Sequence, residues 1–258
     1  MLIVKNVAGF AVSKFRDLSI VRMPGTSSLL VVACDSFGGI GSRKADVVKM
    51  DGCELGKKII RVPLMELLAA GATPFLIIDN LGMAAESGGS QVMSGIRDEL
   101  TRLGLDPEAC MNGSTEDNIP TIQSFAGVVA MGAMPGELFL SKSVRAGDVA
   151  LCIGTPKSGP RDKILLDDPE IVTYEDLLAI NASGLAHDIL PVGSHGIEYE
   201  LHQLAESRGR SFRLRSAEPD MKKSAGIATC IIVALNPGDV EAVQRIISTK
   251  STLVAEFT

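Results

Sequence analysis

The chain has 258 residues, 46% of them hydrophobic and 22% charged, a balance that supports a substantial buried core in one or two domains. A formal charge of −6 and a pI near 5.2 argue against nucleic acid as a partner while leaving room for a local cationic site. No apolar run is long enough to cross a bilayer, so no membrane association is expected, and the opening MLIVKNVAGF lacks the features of a secretory leader. A cytoplasmic location is the expectation. Cys34, Cys53, Cys110, Cys152 and Cys230 are scattered with no CxxC pair, which predicts reduced thiols. His187, His195 and His202 have no matching cysteine spacing, so a zinc site is not expected.

In chain order, Val12–Val21 reads as a strand or a short helix, and the β-branched run from Leu29 to Cys34 as a buried strand. Glu54–Ala70 has helical periodicity, with Gly71 placed for a left-handed cap and Pro63 predicting a kink or break. A second strand, Phe75–Ile78, ends on Asp79, and Ser90–Leu103 is the clearest amphipathic helix, stopped by Gly104. A polar loop, Met111–Thr121, precedes a strand over Ser124–Gly132. The mixture of Pro, Gly and charge from Met134 to Gly147 predicts a domain boundary near Ser141, dividing residues 1–140 from 141–258. The second half begins with a strand, Asp148–Ile153, and a glycine-proline loop, Gly154–Pro160. Thr173 and Asp176 form a capping-box pattern opening a helix to about His187. Then follow a helix over Gly196–Ser207, strands near Phe212–Arg215 and Ile227–Leu235, and a helix over Pro237–Ile247. Strands and helices intermingle in both halves, the pattern of an α/β or α+β protein.

The most informative stretch is Leu29–Lys49. Its strand delivers Asp35 into a segment with Gly38, Gly39 and Gly41, followed by Arg43, Lys44 and Asp46. A carboxylate that can hold Mg²⁺, glycine amides open to phosphate and two cations are the parts that phosphate chemistry uses. The GxxxxGK[ST] spacing of a Walker A loop is absent. Asp79 follows another strand, Glu66 lies on the helix between, and Glu116 and Asp117 occupy the polar loop. Strands of one sheet could gather these carboxylates, and a cation would be their natural neighbour.

These residues resemble motifs of the aminoimidazole ribonucleotide synthase superfamily, which includes thiamine-monophosphate kinase and selenophosphate synthetase. ACDSFGGIGSRKAD (Ala33 to Asp46) is similar to its strand-end aspartate and glycine-rich segment. VPLMELLAAGATPFLIIDNLG (Val62 to Gly82) resembles its N-D-x-x-x-x-G-A-x-P block, and NGSTEDNIP (Asn112 to Pro120) its G-G-[DE]-T loop. GTPKSGP and SAGIATCIIVAL (Ser224 to Leu235) resemble segments of its C-terminal domain. The resemblance implies a two-domain protein whose N-terminal domains pair as a homodimer through a β-barrel, with a C-terminal α/β substrate domain and with ATP and Mg²⁺ as cofactors.

Carried over by position, Asp35, Glu66, Asp79 and Asp117 would be metal or phosphate-site carboxylates. Gly38, Gly39, Gly41, Arg43, Lys44, Asn112 and Thr115 would face the nucleotide, and His187 and His195 would lie in the substrate region as candidate proton acceptors. Glu66 stands where the family has Asp, and Ser114 where it has Asp or Glu. The activity implied is that of a small-molecule kinase acting on a nucleoside-like metabolite. Among compact members the chain most resembles α-ribazole kinase, which phosphorylates the 5′-hydroxyl of α-ribazole in salvage of the cobamide lower ligand. An ATP-dependent cyclase or ligase is the alternative enzyme reading. A nucleotide-binding regulatory protein without turnover is the alternative of another class, motivated by the Glu66 and Ser114 departures.

Overall fold

The computed structural model describes residues 4–5, 9–159 and 161–258. Part of the opening segment read for a leader, and Pro160 of the glycine-proline loop, lie outside the described residues. The chain divides into two compact units, Met1–Leu67 with Ala72–Met134, and Leu68–Gly71 with Pro135–Thr258.

The first unit begins with β1 (Val4–Lys5), β2 (Ala11–Phe15), β3 (Leu18–Arg22) and β4 (Ser28–Gly38). A small parallel ribbon follows, β5 (Ile40–Gly41) with β6 (Val48–Lys49). Helix α1 (Gly52–Ala70) then leads to β7 (Thr73–Leu81), and α2 (Gly89–Arg102) with the single turn α3 (Pro107–Cys110) leads to β8 (Met111–Thr115) and β9 (Phe125–Pro135). These strands form a seven-stranded sheet in the order β1-β2-β3-β4-β9-β7-β8. Within one chain the sheet is open, with β1 and β8 at its edges. β8 runs parallel to β7, because the α2–α3 crossover returns the chain to the same end.

Alternation along the strands sorts the sheet into two faces. Leu29, Val31 and Ala33 on β4, Ala126, Val128 and Ala130 on β9, and Ile77 and Leu81 on β7 are buried. The opposite face presents the half-buried Leu30, Val32, Ile78, Val129 and Met131, with Cys34 and Asn80 exposed. Helices α1 and α2 cross at glycines. A Cβ on Gly56 would lie 2.0 Å from the Val92 carbonyl oxygen, and one on Gly95 would lie 1.9 Å from that of Cys53. Only glycine on both helices permits this approach.

The second unit contains α4 (Gly136–Ser141), β10 (Val149–Gly154), α5 (Tyr174–Ser183), β11 (Ala186–Pro191) and α6 (Gly196–Glu206). It ends with β12 (Phe212–Leu214), β13 (Cys230–Leu235), α7 (Val240–Ile246) and β14 (Ser251–Phe257). Its antiparallel sheet has the order β11-β13-β10-β14-β12. Every residue of β10 and β13 is buried, which explains why both read as unbroken apolar runs: neither face of these strands meets water.

Several expectations change. Pro63 does not break α1, which is continuous from Gly52 to Ala70. A proline inside a helix costs about 3 kcal/mol. Burial of Leu55, Ile59, Ile60, Leu64, Met65 and Leu67, at about 1.5–3 kcal/mol each, outweighs it. Asp35 and Asp79 lie within β4 and β7, since both strands run past the apolar residues that marked them. The first part of the expected polar loop is the edge strand β8. The helix expected to reach His187 stops at Ser183, where Gly184 takes a left-handed φ of 68°, and His187 sits on β11. The capping box forms as expected, Thr173 Oγ1 accepting from Asp176 N and the Asp176 carboxylate from Thr173 N.

Candidate active site

The side chains of Asp35 and Asp79 point to one face of the first sheet. Asp35 continues the buried series Leu29, Val31 and Ala33, while Asp79 stands between Ile77 and Leu81, directly opposite Val128. Their strands are two spacings apart, about 10 Å, with β9 between them. Burial raises the Asp35 carboxyl above its ordinary range, only partly offset by the hydrogen bond that its Oδ1 accepts from Ser36 N at 2.8 Å. Asp79 is 1% exposed, and its Oδ1 is buried without a hydrogen-bond partner. Burial raises its pKa as well, with its own backbone amide and then Arg97 pulling the other way. Its carboxylate folds over Gly113 of β8, within 2.3–2.5 Å of where a Cβ would stand, so any side chain here would push the carboxylate aside.

The strand register separates two residues that the sequence grouped. Thr115 pairs with Leu81 and shares the face of Asp79, whereas Asn112 pairs with Ile78 on the other face. Three residues apart on one strand, they point in opposite directions. Thr115 Oγ1 donates to Asp117 Oδ2 at 2.6 Å, and the amide of Ala85 donates to Asp117 Oδ1 at 3.0 Å. The Thr115 hydroxyl and the Ala85 amide hold the Asp117 carboxyl below its usual range. This arrangement ties the end of β8 to the turn before α2. The Asn112 side chain accepts from Gly113 N, and Ser114 is exposed.

Glu66 is near the other end of the unit. Allowing 1.5 Å per helical residue and 3.3 Å per strand residue, the turn at Gly71 leaves Glu66 roughly 14 Å along the axis from Asp79.

The glycine-rich segment is a folded ribbon rather than an open loop. Gly38 closes β4, the Gly39 amide donates to Ser124 O at 2.9 Å, and the Gly39 carbonyl accepts from Val47 N and Val48 N. Gly41 packs against Asp46 and Ser124, where a Cβ would come within 2.4 Å of Ser124 Oγ. Lys44 is exposed, and Arg43 is half-buried with its guanidinium donating to Thr121 O.

No protein-family model matches the chain, and no curated protein does. Solved structures do. Phosphoribosylformylglycinamidine synthase II from Thermotoga maritima is 18% identical, with a TM-score of 0.61 over 95% of this chain and 42% of that one. PurL from T. maritima, solved as its complex with ATP, gives the same identity and TM-score over 95% and 41%. Thiamine-monophosphate kinase from Stenotrophomonas maltophilia K279a is 16% identical, with a TM-score of 0.65 over 99% of this chain and 88% of that one. The chain has the fold of these enzymes. The chain spans about two-fifths of the length of the two T. maritima proteins and most of the length of the kinase.

Among the described residues, no group of three or more His, Cys, Asp or Glu side chains is arranged to hold a metal ion. Mg²⁺ seldom needs such a cage, because it is commonly held by one or two carboxylates together with a nucleotide's phosphates. The desolvated Asp35 and the unpartnered oxygen of Asp79 suit that mode.

The two candidate histidines lie towards opposite ends of β11, His187 as its second residue and His195 four residues after its last. His187 Nδ1 is 2.8 Å from Asp148 Oδ2, a carboxylate 3% exposed that also accepts from Arg145 N. His195 is exposed at the start of α6 with its ring 4.7 Å from that of Tyr199. Sequence reasoning passed over Asp148, because its partner is 39 residues away, and also Ser124, whose bonds to Asp46 span 78 residues.

Proposed function

We propose that the protein is an ATP-dependent phosphotransferase acting on a small nucleoside-like metabolite. The observation that carries this reading is Asp35 and Asp79, two under-solvated carboxylates on one sheet face. The chain's fold is also shared with thiamine-monophosphate kinase along most of both chains. Asp35 and Asp79, on strands about 10 Å apart, would each offer a carboxylate to Mg²⁺ bound with the nucleotide's phosphates rather than share one ion directly, and the metal would offset charge on the transferring phosphoryl group. Arg43 and Lys44 would add positive charge, and the fixed scaffold would contribute positioning. His195, exposed and free of a carboxylate partner at hydrogen-bond distance among the described residues, is favoured over His187 as acceptor of the substrate hydroxyl proton.

α-Ribazole, phosphorylated on its 5′-hydroxyl, is the proposed substrate, and the motif resemblance supports it. An amide-activating ligase or cyclase is the second reading, favoured by the likeness to PurL over 95% of this chain. A homodimer is proposed through the open face of the first sheet, where Leu30, Val32, Ile78, Val129 and Met131 stand half-buried in one chain. No helix among the described residues is long and apolar enough to cross a membrane; a cytoplasmic location is proposed from the sequence reading.

The deciding experiment is mass spectrometry of products formed from ATP, Mg²⁺ and a panel including α-ribazole and thiamine phosphate. One phosphoryl group gained by α-ribazole, with matching ADP, supports the kinase and its substrate together. Free phosphate without a phosphorylated product supports the ligase reading. Asp35→Asn and Asp79→Asn should each abolish turnover while remaining folded; normal turnover by both refutes the site.

A further inference from the structure

The segment between β4 and α1 is held by one buried carboxylate. Asp46 is 5% exposed, and its Oδ1 accepts from Ser124 N at 2.7 Å. Its Oδ2 accepts from Ser124 Oγ at 2.7 Å and from Arg43 N at 2.8 Å. Burial alone would raise the Asp46 carboxyl, but Ser124, Arg43 and the nearby Lys49 ammonium together hold it below its ordinary range. It is therefore ionised whenever the segment is folded at neutral pH. Arg43 is fixed from every side: its amide by Asp46, its carbonyl by the Lys49 ammonium and its guanidinium by Thr121 O.

That guanidinium is nevertheless incomplete. Its Nε is buried and has no hydrogen-bond partner. A guanidinium offers five donors in a planar fork that matches an oxyanion in two-point contact. Leaving that donor buried and unpartnered is costly, a cost carried by the brace that holds the half-buried guanidinium in place. A ribbon that spends a buried carboxylate and a serine on immobilising such an arginine has the construction of a receptor for an anion.

We propose that Asp46 is a positioning residue that, with Ser124, presents Arg43 to a phosphoryl oxyanion of a polyphosphate chain. The inference deepens the proposed phosphotransferase reading by naming what fixes its cation. It also makes Gly41 intelligible, because any side chain there would displace the Asp46–Ser124 contact.

The test is calorimetric titration of the full chain with inorganic pyrophosphate, alongside amide hydrogen exchange. Arg43→Gln should weaken pyrophosphate binding about tenfold or more without faster exchange at Val47, Val48 and Met50. Asp46→Asn should weaken it about tenfold and speed exchange at those amides, which bond to Gly39 O and Gly41 O. Ser124→Ala, a milder change, should show the same pattern reduced, and supplies the result if Asp46→Asn fails to fold. Because Asp46 acts through Arg43, adding Asp46→Asn to Arg43→Gln should cost no further affinity. Wild-type affinity in Arg43→Gln, or equal losses from Asp46→Asn in both backgrounds, would overturn the proposal. Phosphotransfer with wild-type pyrophosphate binding in these variants would reject this inference and leave the kinase reading intact. Arginine-dependent pyrophosphate binding without phosphotransfer would do the reverse.

Discussion

Replacing Asp79 by asparagine is expected to stabilise the protein at neutral pH. The carboxylate is 1% exposed, and one of its oxygens has no partner. A buried acceptor left unsatisfied costs about 1–3 kcal/mol, more when charged. An uncharged amide of the same shape keeps part of that cost, so a gain of about 1–2 kcal/mol is expected. For a cooperative unit of about 130 residues, each kcal/mol moves the melting temperature by about 4 °C. The dependence on pH follows from the direction of the shift. Burial raises the folded pKa above the ordinary 3.8, so between the two values the folded state keeps a proton that the unfolded state has lost. Wild-type stability therefore falls as pH rises through that window and levels off above it. Asp79→Asn removes this fall, so the two proteins should converge below pH 3.8 and diverge towards neutrality. Thermal unfolding followed by circular dichroism across pH 3 to pH 8 reads both quantities. A variant less stable than wild type at neutral pH, or a difference that persists below pH 3.8, would refute the reasoning. Adding Mg²⁺ with ATP should narrow the gap, because binding to the folded state stabilises wild type by about 2.7 kcal/mol at a hundredfold excess over Kd.

Other changes probe the scaffold and the second unit. Gly95→Ala places a Cβ 1.9 Å from the Cys53 carbonyl oxygen, so α1 and α2 must part. A loss of about 3 kcal/mol is expected in urea unfolding, the upper end for overpacking. Asp176→Ala removes the acceptor of Ser248 N, Ser248 Oγ, Thr249 Oγ1 and Thr173 N and should cost about 3 kcal/mol in the same assay. Burial would raise the Asp176 carboxyl, but those donors lower it below 3.8. Its contribution should be complete above that value and disappear as pH falls through the folded pKa. His195→Ala should lower turnover about a hundredfold or more with unfolding unchanged, the scale of a lost general base. His187→Ala should instead lower the melting temperature, since it strips a partner from the buried Asp148.

What the sequence reveals and what it hides divide along physical lines. The capping box at Thr173, the left-handed glycine after α1 and the run of β10 were legible because each depends on residues within a few positions of one another. Pro63 misled for the same reason: a local rule gave way to the burial of a helix whose partners are remote in the chain. β14 was passed over because its pattern becomes intelligible only against β10 and β12.

The candidate site shows the limit most clearly. Its residue types can be listed from the sequence, but which of them share a face depends on parity along each strand and on pairing between strands. Asp35 falls on the buried face because it is an even number of residues from Val31, and Asp79 because it is two from Ile77. Asn112 and Thr115, an odd number apart, are sent to opposite faces once Met111–Thr115 is a strand. Had that segment remained a loop, both could have turned towards one phosphate. The same fact removes a backbone cradle from β8 and is the reason that the proposed anion contact is assigned to Arg43 on the Asp46-braced ribbon.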